Sequence, residues 1–228
     1  MAIDKVEKNK IFLSIYLPGI FILLLWVIQL YQFFLGNLSS FGLLPRKTSG
    51  LIGILTAPLI HADFTHIISN SIPLYICLAL LIYSYRSLAY KTFFIIYLGS
   101  GILVWIFARQ NIHIGASGLV YGLFGFLFLS GLIRRNINLL AITLLVTFLY
   151  GSIVWGIMPM DLKVSWESHL FGLLMGFFCA LIFRNQGPPP PIDPFEDEDD
   201  DDDNILLPYN PEEPRVIYMY RENDPNIN

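Results

Sequence analysis

Residues 115–133 read GASGLVYGLFGFLFLSGLI, and this stretch decides the fold class of the chain. It carries no charged side chain, and as a helix it is long enough to cross the hydrocarbon core of a bilayer. A backbone surrounded by lipid must satisfy its own hydrogen bonds, which favours a helix. The stretch therefore predicts a membrane-spanning helix.

Composition extends this prediction to most of the chain. Of the 228 residues, 55% are hydrophobic and 14% are charged, whereas a soluble domain has about 25% charged residues. Five further apolar stretches are long enough to span a bilayer, at residues 11–35, 66–84, 92–108, 138–158 and 166–183. We therefore expect an all-α polytopic membrane protein, with a six-helix transmembrane bundle over residues 11–185.

The distribution of charge predicts the orientation of this bundle. Residues 1–186 contain 12 Lys and Arg against 5 Asp and Glu, whereas residues 187–228 contain 2 against 13. Loops that stay in the cytoplasm retain positive charge. A cytoplasmic N-terminus places eight basic residues on the inner segments and four on the outer ones. We therefore expect residues 1–10 and the C-terminus to be cytoplasmic.

Two segments outside the apolar stretches differ in character. Residues 187–228 open with a proline run and continue into an acidic block at 196–203, which predicts a disordered cytoplasmic tail because such a segment repels itself and has little apolar surface to bury. Residues 36–65 are broken by glycine and proline but keep apolar runs. That loop is predicted to lie in the outer membrane interface.

Polar side chains inside the apolar stretches are the candidates for function, because placing them in lipid is costly. His66 and Asn70 are four residues apart and therefore share one helix face. They can serve chemistry, or they can form a hydrogen bond between helices that stabilises the bundle. These two residues alone do not separate the alternatives.

The start of the 115–133 stretch offers a possible nucleophile. Ser117 is flanked by Gly115 and Gly118 at the beginning of a predicted helix, where free backbone N–H groups can face a developing negative charge. Gly118 and Gly122 also form a small-xxx-small pair, which is equally typical of helix packing. The G-x-S-x-G sequence of soluble hydrolases is absent, so no strained nucleophile elbow is expected.

The last apolar stretch carries a matching face. His169, Gly172 and Gly176 are spaced so that all three lie on one side of a helix. Glycines on facing helices allow the two backbones to contact each other. Packing of this face against the glycines of residues 115–133 would bring Ser117 beside His169, a hydroxyl beside an imidazole that can accept its proton.

With these motifs in place, the sequence resembles the rhomboid family of intramembrane serine proteases over residues 11–185. The match comprises residues 59–66 (LIHADFTH) with Asn70, residues 115–118 (GASG) with Tyr121 and Gly122, and residues 169–172 (HLFG). Many members carry a Trp-Arg pair in the first outer loop, whereas the loop here has Pro45 and Arg46 but no tryptophan. This departure leaves the conformation of the loop open.

The resemblance implies roles for individual residues. Ser117 would be the nucleophile and His169 its general base, a dyad rather than a triad. His66, Asn70 and the Ser117 backbone N–H would form the oxyanion hole, and Tyr121 would stack against the His169 ring.

The resemblance also implies an activity and a location. The protein would be a serine endopeptidase that cleaves transmembrane segments of membrane proteins in the lipid bilayer, without a cofactor and without a nucleic-acid partner. We expect it in a bacterial cytoplasmic membrane, with the active site opening to the outer side. The alternative is a noncatalytic membrane protein that recognises weak transmembrane helices without cutting them, as some relatives do.

The remaining histidines raise a second alternative, a zinc site, because imidazole is a common zinc ligand. The chain has no H-E-x-x-H sequence, so we expect no metal. His61 and His113 are instead expected to form hydrogen bonds with the backbone. Polar residues near the outer end are also expected to keep the site wet; they are His61, Asp63, Arg109, Gln110, Asn111 and His113.

Overall fold

The computed structural model describes residues 5–149, Gly156, Met158 and residues 165–187. They belong to one compact unit, Met1–Pro191. The predicted acidic tail beyond residue 187 and most of the end of the predicted 138–158 stretch lie outside the described residues. Both stay predictions.

The described residues are mostly helical and contain no β-strand. The helices are α1 (Lys5–Leu35), α2 (Gly53–Thr56), α3 (Phe64–Ser84), α4 (Ala89–Phe107), α5 (Ser117–Ile133), α6 (Ile137–Leu149) and α7 (Trp166–Ile182). Three of them, α1, α3 and α4, are long and apolar enough to cross a membrane, whereas α5 and α7 are shorter apolar helices. Helix α1 contains the predicted apolar stretch 11–35 and extends it at the amino-terminal end by about one and a half turns, which include the good helix formers Lys and Glu.

Helix α5 lies at the centre of the core, and most of its residues are buried. It packs most closely against α7, where a Cβ on Gly172 would overlap the carbonyl group of Gly118. A Cβ on Gly176 would likewise overlap the carbonyl group of Gly122. The two backbones are therefore in direct contact along the glycine faces, and the helices run in the same direction.

The loop between α1 and α3 folds back onto α4 and the connection that follows it. Leu43 and His113 exchange two backbone hydrogen bonds of 3.0 and 2.9 Å. The Tyr97 hydroxyl on α4 donates to the carbonyl oxygen of Leu55 at 2.5 Å. The loop is thus fixed against the bundle, and its place in the membrane interface stays a prediction.

Three helices begin at the same end of the bundle. Ser117 is the first residue of α5, and His169 lies in the first turn of α7. His66 lies in the first turn of α3 and contacts the position of Gly115, just before α5. The candidate side chains therefore come together at the amino-terminal ends of α3, α5 and α7.

Candidate active site

Ser117 is presented by a turn that requires glycine. Gly115 has a φ of +107°, which side-chain-bearing L residues rarely adopt. A Cβ there would also lie 2.6 Å from Cε1 of His66. Gly115 therefore turns the chain into α5 and leaves room for an imidazole beside the serine.

His169 faces the serine directly. Its Nε2 lies 2.8 Å from Ser117 Oγ, and both side chains are buried. Its Nδ1 lies 2.7 Å from the carbonyl oxygen of Gly156. Because a carbonyl only accepts, Nδ1 carries the ring proton and Nε2 accepts the hydrogen bond of the Ser117 hydroxyl.

Tyr121 lies one helical turn beyond Ser117 and stacks on the imidazole. The ring centroids of Tyr121 and His169 are 4.2 Å apart, and the ring planes differ by 6°. This contact covers one face of the imidazole and opposes tilting towards that side, which leaves rotation in the plane of the ring. The Gly156 carbonyl then fixes that remaining rotation.

His66 and Asn70 are held by the first turns of α3. Asp63 caps this helix by accepting the backbone N–H of His66 at 2.8 Å. The Ala62 backbone N–H donates to His66 Nδ1 at 3.5 Å. Because Nδ1 accepts this hydrogen bond, the ring proton lies on Nε2. Asn70 is buried and donates from Nδ2 to the His66 carbonyl oxygen at 2.9 Å, which uses one of its two amide hydrogens.

His61 and His113 form the backbone hydrogen bonds expected of them. His61 Nε2 accepts the backbone N–H of Ala116 at 3.3 Å, and His113 Nε2 lies 3.1 Å from the carbonyl oxygen of Arg109. Burial, with a smaller contribution from the neighbouring His66, lowers the pKa of His61 to about 4. Burial also lowers the pKa of His113. Both rings are therefore neutral at pH 7.

Both histidines are buried, and their part in keeping the site wet stays a prediction. Asp63, Gln110 and Asn111 are exposed, as expected for residues at a polar entrance. The burial of His113 follows from its pairing with Leu43 of the folded loop, which nothing local in the sequence indicates.

A contact that the sequence does not reveal anchors the loop. Arg46 caps the carboxyl end of α4, where its Nη1 donates to the carbonyl oxygens of Ile106 at 3.1 Å and Ala108 at 2.6 Å. Trp105 on α4 donates from Nε1 to the carbonyl oxygen of Lys47 at 3.0 Å. A tryptophan and an arginine therefore do fix this loop, but the tryptophan lies on α4.

Glu167 also lies near the site, although it is not among the predicted site residues. This residue lies in the first turn of α7, two residues before His169, and is 4% exposed. Its Oε1 is 3.1 Å from Arg109 Nε. The signal was available, because a charged residue inside an apolar stretch is itself a candidate for function.

The described residues do not form a group of metal ligands. Within the part of the chain that the structure describes, no three His, Cys, Asp or Glu side chains are grouped as metal ligands would be. Cys77 and Cys179 are both buried thiols on separate helices.

The fold and the site define a class: an integral membrane protein of apolar helices that holds a serine hydroxyl against an imidazole. Comparison with known proteins supports this class. The family model described as "Rhomboid domain" matches residues 48–186, more than half of the chain. The chain therefore belongs to the rhomboid family.

Curated relatives match more than half of the chain. An uncharacterised protein of Mycobacterium tuberculosis is 35% identical over 172 residues, 71% of this chain and 72% of the relative. An uncharacterised protein of Mycobacterium leprae is 31% identical over 173 residues, 71% and 68% of the two chains. A Bacillus subtilis protein named "Putative rhomboid protease YdcA" is 31% identical over 139 residues, which are 57% of this chain and 65% of the relative.

Proposed function

We propose that this protein is an intramembrane serine endopeptidase that cleaves transmembrane segments of membrane proteins with a Ser117–His169 dyad. The observation that carries the proposal is the 2.8 Å contact between Ser117 Oγ and His169 Nε2. Membership of the rhomboid family supports a protease-type function.

The dyad supplies both the nucleophile and the proton transfers. Ser117 Oγ attacks the carbonyl carbon of the scissile bond while its proton moves to His169 Nε2. The resulting tetrahedral intermediate collapses as the same nitrogen gives that proton to the leaving amine, which produces an acyl-enzyme. Water then attacks the ester, with His169 again accepting a proton and returning it to Ser117 Oγ.

The negative oxygen of each intermediate needs donors. We assign this task to the Ser117 backbone N–H at the start of α5, to His66 Nε2 and to Asn70 Nδ2. The free N–H groups of a helix amino terminus also favour a negative charge at this place. Loss of one such donor typically raises a reaction barrier by about 3 kcal/mol.

The substrate follows from the location of the site. A dyad recessed at one end of a helical bundle is reached from the bilayer, so the expected substrate is another transmembrane helix. We propose that six helices span the membrane, that both termini are cytoplasmic and that the site opens outward. Helices weakened by Gly, Pro or polar residues would be cut best, because their peptide bonds are less shielded.

Cleavage of a fluorescent transmembrane reporter by the purified full-length protein in liposomes tests the proposal. Wild-type protein should cleave it, and Ser117→Ala and His169→Ala should each abolish cleavage. Ser87→Ala, at an exposed serine between α3 and α4, is the matched control and should remain active. Cleavage that survives Ser117→Ala, or that a chelator abolishes, would contradict the serine mechanism, and reporter binding without cleavage would favour the noncatalytic alternative.

A further inference from the structure

An ion pair between a buried glutamate and a half-buried arginine lies beside the proposed general base. Oε1 of Glu167, in the first turn of α7, is 3.1 Å from Arg109 Nε and accepts the Arg109 backbone N–H at 3.4 Å. Arg109 follows the end of α4 and lies in the connection that leads to Ser117. The pair therefore joins the segment before the nucleophile to the helix that carries His169.

A second polar contact joins the same two segments. The His113 Nδ1 pairs with the hydroxyl of Ser165, which lies 2.6 Å from the hydroxyl of Ser168. Residues 109–113 are thus fixed to residues 165–168 at two points. The first segment runs into Ser117 and the second runs into His169.

Stability alone does not account for a charged pair in this position. The side chain of Glu167 is nearly fully buried, and its Oε2 accepts no hydrogen bond from the described part of the chain. Desolvation of a buried carboxylate often cancels its attraction to the partner charge, here a half-buried guanidinium, so an apolar residue of similar size often stabilises a fold equally well. The pair therefore points to a need for fixed geometry.

We infer that Glu167, held by Arg109, is a positioning residue for His169. It fixes the first turn of α7 against the segment before α5, so that His169 Nε2 stays within hydrogen-bond reach of Ser117 Oγ. This inference rests on the proposed function, because it gives Glu167 a task in the same reaction. A displacement of about 1 Å in a catalytic group can lower a rate on the order of a hundredfold.

Substitution of the pair in the full-length protein tests this role. Glu167→Gln keeps the size of the side chain and removes its charge. It should lower kcat on the transmembrane reporter in liposomes by about tenfold to a hundredfold, with KM changed by less than about twofold. Arg109→Gln should have a similar effect, the double variant should be no worse than either single one, and Arg109→Lys should recover most of kcat.

Arg134→Gln is the matched control. Arg134 Nη2 donates to the carbonyl oxygen of Phe183 at 3.0 Å and so joins α5 to α7 at the opposite end of the two helices. This variant should lower the Tm without changing kcat. Equal kcat in Glu167→Gln and wild-type protein, with only the Tm lowered, would overturn the positioning role.

Labelling of Ser117 by a fluorophosphonate probe separates this inference from the proposed function. Wild-type protein that is labelled but cleaves no reporter would contradict the protease, while slower labelling of Glu167→Gln would still support the positioning role. Equal labelling rates in the two proteins would overturn that role. Wild-type protein that is neither labelled nor active would contradict both.

Discussion

His169 Nδ1 lies 2.7 Å from the carbonyl oxygen of Gly156, and this contact selects the ring tautomer that faces Ser117. In a triad, a carboxylate orients the imidazole and stabilises its charged form. Here a backbone carbonyl and the stacked ring of Tyr121 orient it instead. Within the part of the chain that the structure describes, the orientation of the proposed base therefore comes from packing and backbone geometry, with no charged side chain hydrogen-bonded to the imidazole.

The glycine contact between α5 and α7 gives the first prediction. Gly172→Ala places a Cβ against the Gly118 carbonyl, so the helices must separate and the Ser117–His169 hydrogen bond must lengthen. We expect a lower Tm and a loss of reporter cleavage of about a hundredfold. Gly19→Ala is the control, because a Cβ there meets nothing within 4 Å. A Gly172→Ala variant as active as Gly19→Ala would contradict the predicted helix contact.

The buried, neutral state of His61 gives a prediction for pH. Its pKa falls from 6.5 to about 4 on folding, so between these values the unfolded chain binds more protons than the folded one. The free energy of unfolding is therefore unaffected by His61 well above pH 6.5, and it decreases as the pH falls from 6.5 towards 4. By pH 5 the loss from this group should be roughly 2 kcal/mol.

Thermal unfolding in detergent at pH 7.5 and pH 5 measures this loss. His61→Gln removes the titrating ring and keeps an acceptor for the Ala116 N–H. We expect the Tm of the wild-type protein to fall more between the two pH values than that of His61→Gln. An equal fall in both proteins would show that His61 does not titrate as described.

The cap that Arg46 forms on α4 gives a prediction for the loop. Arg46→Ala removes two hydrogen bonds to the last carbonyl groups of α4 and should lower stability by about 1 kcal/mol, since the side chain is solvent-exposed. Proteolysis of the loop should become faster as well. Lys47→Ala is the control, because that residue contributes its backbone carbonyl to Trp105 and should behave like wild type. Equal behaviour of the two variants would contradict the cap.

The sequence was sufficient to predict the elements that depend on local pattern. The apolar stretches coincide with the longer described helices, although not with α2, and the spacing of Gly118, Gly122, Gly172 and Gly176 indicated the faces on which α5 and α7 meet. Such patterns can be recognised in a single sequence because the residues on one helix face recur at a fixed spacing.

Contacts between distant segments could not be predicted in the same way. The Leu43–His113 bridge and the Gly156 carbonyl on His169 involve backbone groups, which every residue possesses, so neither leaves a signature in the sequence. The Arg46 cap on α4 likewise depends on how the loop folds back. Glu167 differs from these, because its charge inside an apolar stretch was visible.

The central claim is that Ser117 becomes nucleophilic by passing its proton to His169. Treatment of the full-length protein in liposomes with a fluorophosphonate probe, followed by mass spectrometry of the adduct, tests it most directly. We predict one modified residue, Ser117, with labelling lost in His169→Ala and retained in Ser87→Ala. Labelling at another serine, or undiminished labelling of Ser117 in His169→Ala, would contradict the dyad.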